Sequence, residues 1–152
     1  MPVILFSKTD DWSRRAQAAA RACFAGDLTI HEGQRGMAFP DKVEVSADTT
    51  LLSFLSPWIV PARLLEAAAL ALNFHPGPRD YPGIGCYNFA LYEGAARYGA
   101  VCHRMAAKVD TGAILLERSF PVEATDSVES LKLKTMHVML AMFEEIAASL
   151  AA

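Results

Sequence analysis

Apolar residues in this chain fall into short unbroken runs separated by stretches of helical spacing, a pattern of strands buried on both faces with helices laid over them. Val3 to Phe6 predicts a first buried strand. Asp10 can cap the helix that follows, where Trp12, Arg15, Ala16, Ala19, Ala20, Cys23 and Phe24 fall at helical spacing before Gly26 ends it. Leu28 to His31 reads as a second strand, so the opening is β-α-β. Gly33 to Asp48 mixes glycine, proline and charge and reads as loop with one weak strand at Val43 to Val45. Thr50 to Leu55 is the next buried strand. Ser56 to Pro61 is then a rigid apolar bend leading into a helix at about Ala62 to Ala69.

Leu70 to Leu72 reads as the end of another buried strand, which delivers Asn73 and His75 into a loop broken by Pro76, Gly77, Pro78, Pro82 and Gly83. Gly85 to Glu93 has helical character with Gly94 as its stop, and Ala100 to Met105 and Ala113 to Phe120 read as strands. Asp126 and Glu129 form a capping box for a long C-terminal helix. Leu131, Met136, Met139, Leu140, Phe143, Ile146, Ala147 and Leu150 make its apolar stripe, read as core or dimer surface. The whole is an α/β chain: an open, mostly parallel, doubly wound sheet with helices on both faces, a compressed N-terminal half, and a single domain across residues 1–152.

Composition narrows the partners. Hydrophobic residues make up 53% of the chain, ample for one core, and the formal net charge is -3. The 14 basic residues form no run that could track a phosphate backbone, so nucleic acid, tRNA included, is disfavoured as a partner. The apolar runs are interrupted before they could span a bilayer, and MPVILFSKTDD has no basic region leading into a long apolar segment; the expectation is a cytoplasmic protein without a membrane partner. Cys23, Cys86 and Cys102 suit reduced, packed thiols, and the four histidines are too dispersed for a local metal motif.

Candidate chemistry gathers after the Leu70 run, where an open α/β sheet presents loops at strand ends. Asn73 and His75 are two apart, so in an extended segment their side chains share a side. An amide donates to an oxyanion, an imidazole accepts or returns a proton, and a carboxylate such as Asp110 brought near His75 holds its tautomer. Trp58 and Ile59 could line a flat apolar pocket, or Trp58 could pack into the core. The turn after the first strand, Ser7-Lys8-Thr9-Asp10, has no glycine for a phosphate cradle, and Lys8 reads more readily as a surface lysine than as a contact for an acidic ligand.

The ordered set Leu72-Asn73-Phe74-His75-Pro76, Tyr81-Pro82-Gly83, Gly99-Ala100-Val101-Cys102-His103 and Val109-Asp110-Thr111-Gly112 resembles the folate-dependent formyltransferase family, which includes the glycinamide ribonucleotide, methionyl-tRNA and sugar N-formyltransferases. The likeness runs from about Thr50 to Val122. It implies a Rossmann-like fold, 10-formyltetrahydrofolate as co-substrate with no metal, and formyl transfer to a primary amine. It implies a triad of Asn73, His75 and Asp110, with His103 in support. It also implies a folate pocket from Trp58, Ile59 and Val60 together with Ala106, Ala107, Lys108 and Val109.

The chain departs from the family in its short first half, its missing glycine-rich turn and its His75-Pro76-Gly77-Pro78-Arg79-Asp80-Tyr81 loop, so the acceptor is expected to be a different small-molecule amine. Two other readings stand beside formyl transfer: a non-catalytic folate or ligand binder on the same fold, and an interaction module whose last helix exposes Met139, Phe143 and Ile146. A homodimer is one assembly open to it.

Overall fold

The structure is a computed structural model that describes residues 1–83, 86–108 and 111–152. Five-residue strands β1 (Val3–Ser7), β2 (Leu28–Glu32) and β3 (Thr50–Phe54) join β4 (Leu70–His75), β5 (Arg97–Arg104) and β6 (Ile114–Pro121) in one sheet of order β2-β1-β3-β4-β5-β6. The pairs β1–β2, β1–β3 and β3–β4 are parallel, whereas β4–β5 and β5–β6 are antiparallel. The expected open, mostly parallel α/β sheet is therefore present, with an antiparallel flank at one side.

Alternation along the strands makes two cores. Val3, Leu5, Leu52, Phe54, Leu72 and Phe74 face helices α1 (Asp11–Phe24) and α4 (Val128–Ala151), while Ile4, Phe6, Leu51 and Ala71 face α2 (Ala62–Ala67). Helices thus cover both faces, which is why β1 and β3 are buried at every position. Asp10 caps α1 as expected, its Oδ1 accepting from the Ser13 amide at 2.7 Å. The short α3 (Cys86–Tyr92) packs with Tyr98 and Leu131 in a third, smaller cluster.

Four local expectations need correction. β4 does not end at Leu72: antiparallel pairing of Asn73 with His103 and of His75 with Val101 carries the strand through His75, so both polar residues stand on the sheet instead of in the loop. No strand forms at Val43 to Val45, because Val43 plugs its side chain into the α2-side core while β2 and β3 already flank β1. The capping box is one residue later than expected. Ser127 Oγ accepts from the Ser130 amide at 3.1 Å and Ser130 Oγ from the Ser127 amide at 2.9 Å. Asp126 instead accepts from the Lys134 ammonium at 2.8 Å and from the Ser130 hydroxyl at 2.7 Å.

The fourth concerns the last helix. Met139 and Phe143 are fully buried, Phe143 lying 5.1 Å from Phe74 and 5.3 Å from Phe54 between ring centroids, and Ile146 packs against the same cluster. The apolar stripe is core, and the expectation that it is exposed for a partner helix is overturned.

Two glycines of the sequence motifs have steric reasons in the fold. A Cβ on Gly99 would stand 1.9 Å from the Arg118 carbonyl oxygen of β6, and one on Gly112 would stand 1.7 Å from that of Arg104. Neither position has room for a side chain without backbone movement.

Candidate functional site

A cavity of about 550 Å³ opens where β1, β3 and β4 end, and Asn73, His75 and His103 all line it. Its position follows from the topology: parallel strands present their carboxyl ends together, and here the antiparallel β5 adds a wall. Asn73 and His75 share a sheet face with His103, which sits directly opposite Asn73 across the β4–β5 ladder. A register shift between Cys102 and His103 marks a bulge in the β5–β6 pairing beside the site.

The hydrogen bonds set the chemistry of each group. His103 is 3% exposed, and its Nδ1–H donates to the Arg104 carbonyl at 2.9 Å. In the neutral ring its Nε2 is then an acceptor, and it takes a hydrogen bond from Asn73 Nδ2 at 3.2 Å. His75, 5% exposed, donates from Nε2 to the Tyr81 carbonyl at 2.7 Å. The Cys86 thiol donates to that same carbonyl oxygen at 2.9 Å. The loop after Pro76 is therefore folded back onto His75. Gly77 permits this: a Cβ there would lie 2.8 Å from His75 Nε2 and 3.1 Å from the Tyr98 hydroxyl. That hydroxyl donates to the Pro76 carbonyl at 3.3 Å, and burial pushes its acidity far below that of an ordinary phenol.

The opposite wall is the bend after β3. Leu55 takes a left-handed conformation, φ 55°, that ends the strand and turns the chain into Ser56 to Pro61. Trp58, Ile59 and Val60 line the cavity as expected. Trp58 satisfies both expectations for it. It borders the cavity, yet its ring packs edge-on to Phe39 and Phe6, and its indole N–H donates to the Met37 carbonyl at 3.0 Å. A Cβ on Gly33 would meet its ring at 2.4 Å, so Gly33 makes room for the indole.

Of the remaining expected folate-side residues, Ala106 lines the cavity, whereas Ala107 and Lys108 are exposed and stand outside the lining. Asp110 and Val109 lie outside the described residues. The Lys108 carbonyl accepts from the Thr111 hydroxyl at 2.6 Å.

Several lining residues are not evident from the sequence. Lys8, expected at the surface, lines the cavity from the end of β1. Ser53, in register with Asn73, lines it from β3, and Lys132 and Met136 line it from one stripe of α4. The available signals are slight: a serine interrupting an apolar strand run, and a lysine one helical turn from a core methionine. Cys86 is buried as expected of a packed thiol, but it also faces the cavity. All three cysteines are free thiols, and burial pushes that of Cys102 up to about 12.

Comparison with known proteins places this arrangement. The family model described as formyl transferase matches residues 3–145. The chain is 31% identical over 117 residues to the methionyl-tRNA formyltransferase of Latilactobacillus sakei, covering 74% of this chain and 36% of that protein. It is 29% identical over 93 residues to the phosphoribosylglycinamide formyltransferase of Haemophilus influenzae, covering 60% of this chain and 43% of that protein. The matches thus span well under half the length of these relatives. The fold is shared with the N-formyltransferase of Helicobacter canadensis, solved with folinic acid and dTDP-3-aminofucose. There the TM-score is 0.78 at 11% identity, covering 95% of this chain and 62% of that one. With a family model matched from the first strand to the last helix, on a sheet shared with solved formyltransferases, the chain belongs to the formyl transferase family.

Proposed function

We propose that this chain moves a formyl group from 10-formyltetrahydrofolate to a primary amine of a small acceptor, in the cavity lined by Asn73, His75 and His103. The observation that supports it most is their convergence: an amide donor and a buried imidazole line one cavity, opposite an apolar bend, in a chain of this family. The acceptor nitrogen attacks the formyl carbon, a new C–N bond forms, and the carbonyl electrons pass to oxygen. The Asn73 amide and protonated His75 hold that oxyanion. Collapse breaks the bond to N10 of the folate, which takes its proton from His75. The imidazole is recharged by the proton the amine gives up, and Asp110 is its partner, favouring the charged ring.

His103 acts one step back, by holding the amide of Asn73 through the 3.2 Å contact. The fit of the donor rests on the cavity: about 550 Å³ is ordinary for a small-molecule site, and Trp58, Ile59 and Val60 offer a flat apolar wall to a pterin. Ala106 to Val109 provide backbone groups for its amide-like edge.

Calorimetric titration with a stable 10-formyltetrahydrofolate analogue, on the native chain and on Trp58→Ala, tests the donor site. Weaker binding in the variant supports it, and an unchanged affinity removes Trp58 from the pocket. His75→Ala is expected to abolish turnover in a folded protein, and Asp110→Asn to lower the rate while folate still binds. Native turnover in either variant rejects the catalytic roles of these two residues.

A further inference from the structure

We propose that the Ser53 hydroxyl is a second donor to the oxygen of the transferred formyl group, standing beside the Asn73 amide. This deepens, and rests on, the reading of the cavity as the formyl-transfer site. The parallel register places Ser53 of β3 level with Asn73 of β4, and the antiparallel register places Asn73 level with His103 of β5. Three polar residues therefore form one row across three neighbouring strands, roughly 5 Å from one strand to the next. Phe6 ends the row on β1 and Ile114 ends it on β6. Alternation settles which face the row occupies. Leu52 and Phe54, on either side of Ser53, belong to the core under α1 and α4, so Ser53 points to the other face, with Asn73 and His75.

The hydroxyl is a polar group that the fold itself does not use. Ser53 is 5% exposed, in a strand buried at every position, and its hydroxyl has no hydrogen-bond partner among the described residues. Other buried hydroxyls are satisfied: Ser7 accepts from the Gln17 amide, Thr49 accepts from the Ser46 backbone N–H, Thr50 donates to Met1 Sδ and Thr135 donates to the Leu131 carbonyl. Ser13 shares the lack of a partner, but its oxygen is sealed from solvent and it lies outside the cavity lining, whereas Ser53 lines the cavity and its oxygen is not so sealed. A buried hydroxyl left without a partner costs free energy that an apolar side chain would spare. At a cavity wall, a ligand supplies the partner. The row limits which ligand atom that is. An atom held between Ser53 and Asn73 is within one strand spacing of both, with His75 two residues further along β4 on the same face. In the proposed reaction that atom is the formyl oxygen, which takes negative charge as the amine attacks. A hydroxyl donates to such an oxygen and keeps its proton, so Ser53 takes part in no proton transfer.

Calorimetry on the full chain with two ligands tests the contact: a stable dideaza analogue of 10-formyltetrahydrofolate, and the same molecule without its formyl group. Both are titrated into the native protein and into Ser53→Ala, and thermal unfolding of the two proteins is compared. Ser53→Ala is expected to bind the formyl-bearing analogue about three- to tenfold more weakly, to bind the formyl-free one with native affinity, and to unfold at the native Tm or above it. Equal affinity of the two proteins for the formyl-bearing analogue overturns the contact. So does an equal loss for both ligands, which puts the hydroxyl against the folate frame instead of the formyl group. A lower Tm without selectivity between the ligands overturns it as well, since the hydroxyl then serves the fold. If the native chain binds neither folate, the formyl-transfer reading itself fails; native binding of both, with no selective loss in the variant, removes only the role of Ser53.

Discussion

Asn73 Nδ2 donates to His103 Nε2 at 3.2 Å across the antiparallel β4–β5 pair, and the backbone of Arg104 decides the direction of that bond. Because His103 Nδ1–H is spent on the Arg104 carbonyl, the ring presents a lone pair to Asn73, and the amide nitrogen must face it. His103→Ala leaves this amide without its ring partner. The expected result is a loss of about 1–3 kcal/mol in denaturant unfolding, with a lower kcat. His103→Gln, whose side-chain oxygen can accept in place of Nε2, should recover part of the rate. A fully active, fully stable His103→Ala protein would show that the contact positions nothing.

Gly77 gives a second test. An added methyl stands 2.8 Å from His75 Nε2 and must displace either the ring or the loop that returns to it. Gly77→Ala is predicted to reduce turnover at least tenfold while folate affinity stays within about twofold, since the bend carrying Trp58 is untouched. Unchanged turnover rules out any need for the His75–Tyr81 contact.

Acid stability should report the cap of α4. The Lys134 ammonium, followed by the Glu123 amide and the Ser130 hydroxyl, holds the Asp126 carboxyl down to about 2 from its ordinary 3.8. A carboxyl depressed in the folded state stabilises the protein above its unfolded value and loses that contribution as pH falls from about 3.8 toward about 2. Asp126→Asn is therefore expected to lower Tm at neutral pH and to flatten the fall of stability over that window. Parallel pH curves for the two proteins would reject the assignment.

The Tyr87 hydroxyl is buried without a hydrogen-bond partner among the described residues, and burial pushes its acidity far below that of an ordinary phenol. Removing such a group relieves an uncompensated desolvation. Tyr87→Phe should leave stability unchanged or raise it by up to about 1 kcal/mol in denaturant unfolding. A clear loss of stability contradicts the burial described for this ring.

Most elements are legible in the sequence because their signals are local. The run Val3 to Phe6, the Asp10 cap and the stripe of α4 each need only a few neighbouring residues, and all appear where the pattern puts them. What stays hidden depends on distant residues. Asn73 and His75 look like loop residues until β5 pairs with them, and the steric need for Gly99 is visible only once Arg118 approaches it. The Ser127–Ser130 box is masked because Asp126 and Glu129 match the commoner pattern; Lys134, eight residues on, draws Asp126 into an ion pair. Within the site, the motif points to Asn73, His75 and His103, but no local signal marks Lys8 or Lys132, which line the same cavity from separate elements.

The antiparallel flank also bears on how the molecule reaches its working form. Neighbouring β5 and β6 can zip together as a hairpin with little loop entropy to overcome, whereas β1, β3 and β4 must wait for helical crossovers before they align. His103 belongs to the first unit and Asn73, 30 residues earlier, to the second. Their contact closes only when the two halves meet, so a chain that has folded either half alone holds a strand of the site but no working pair.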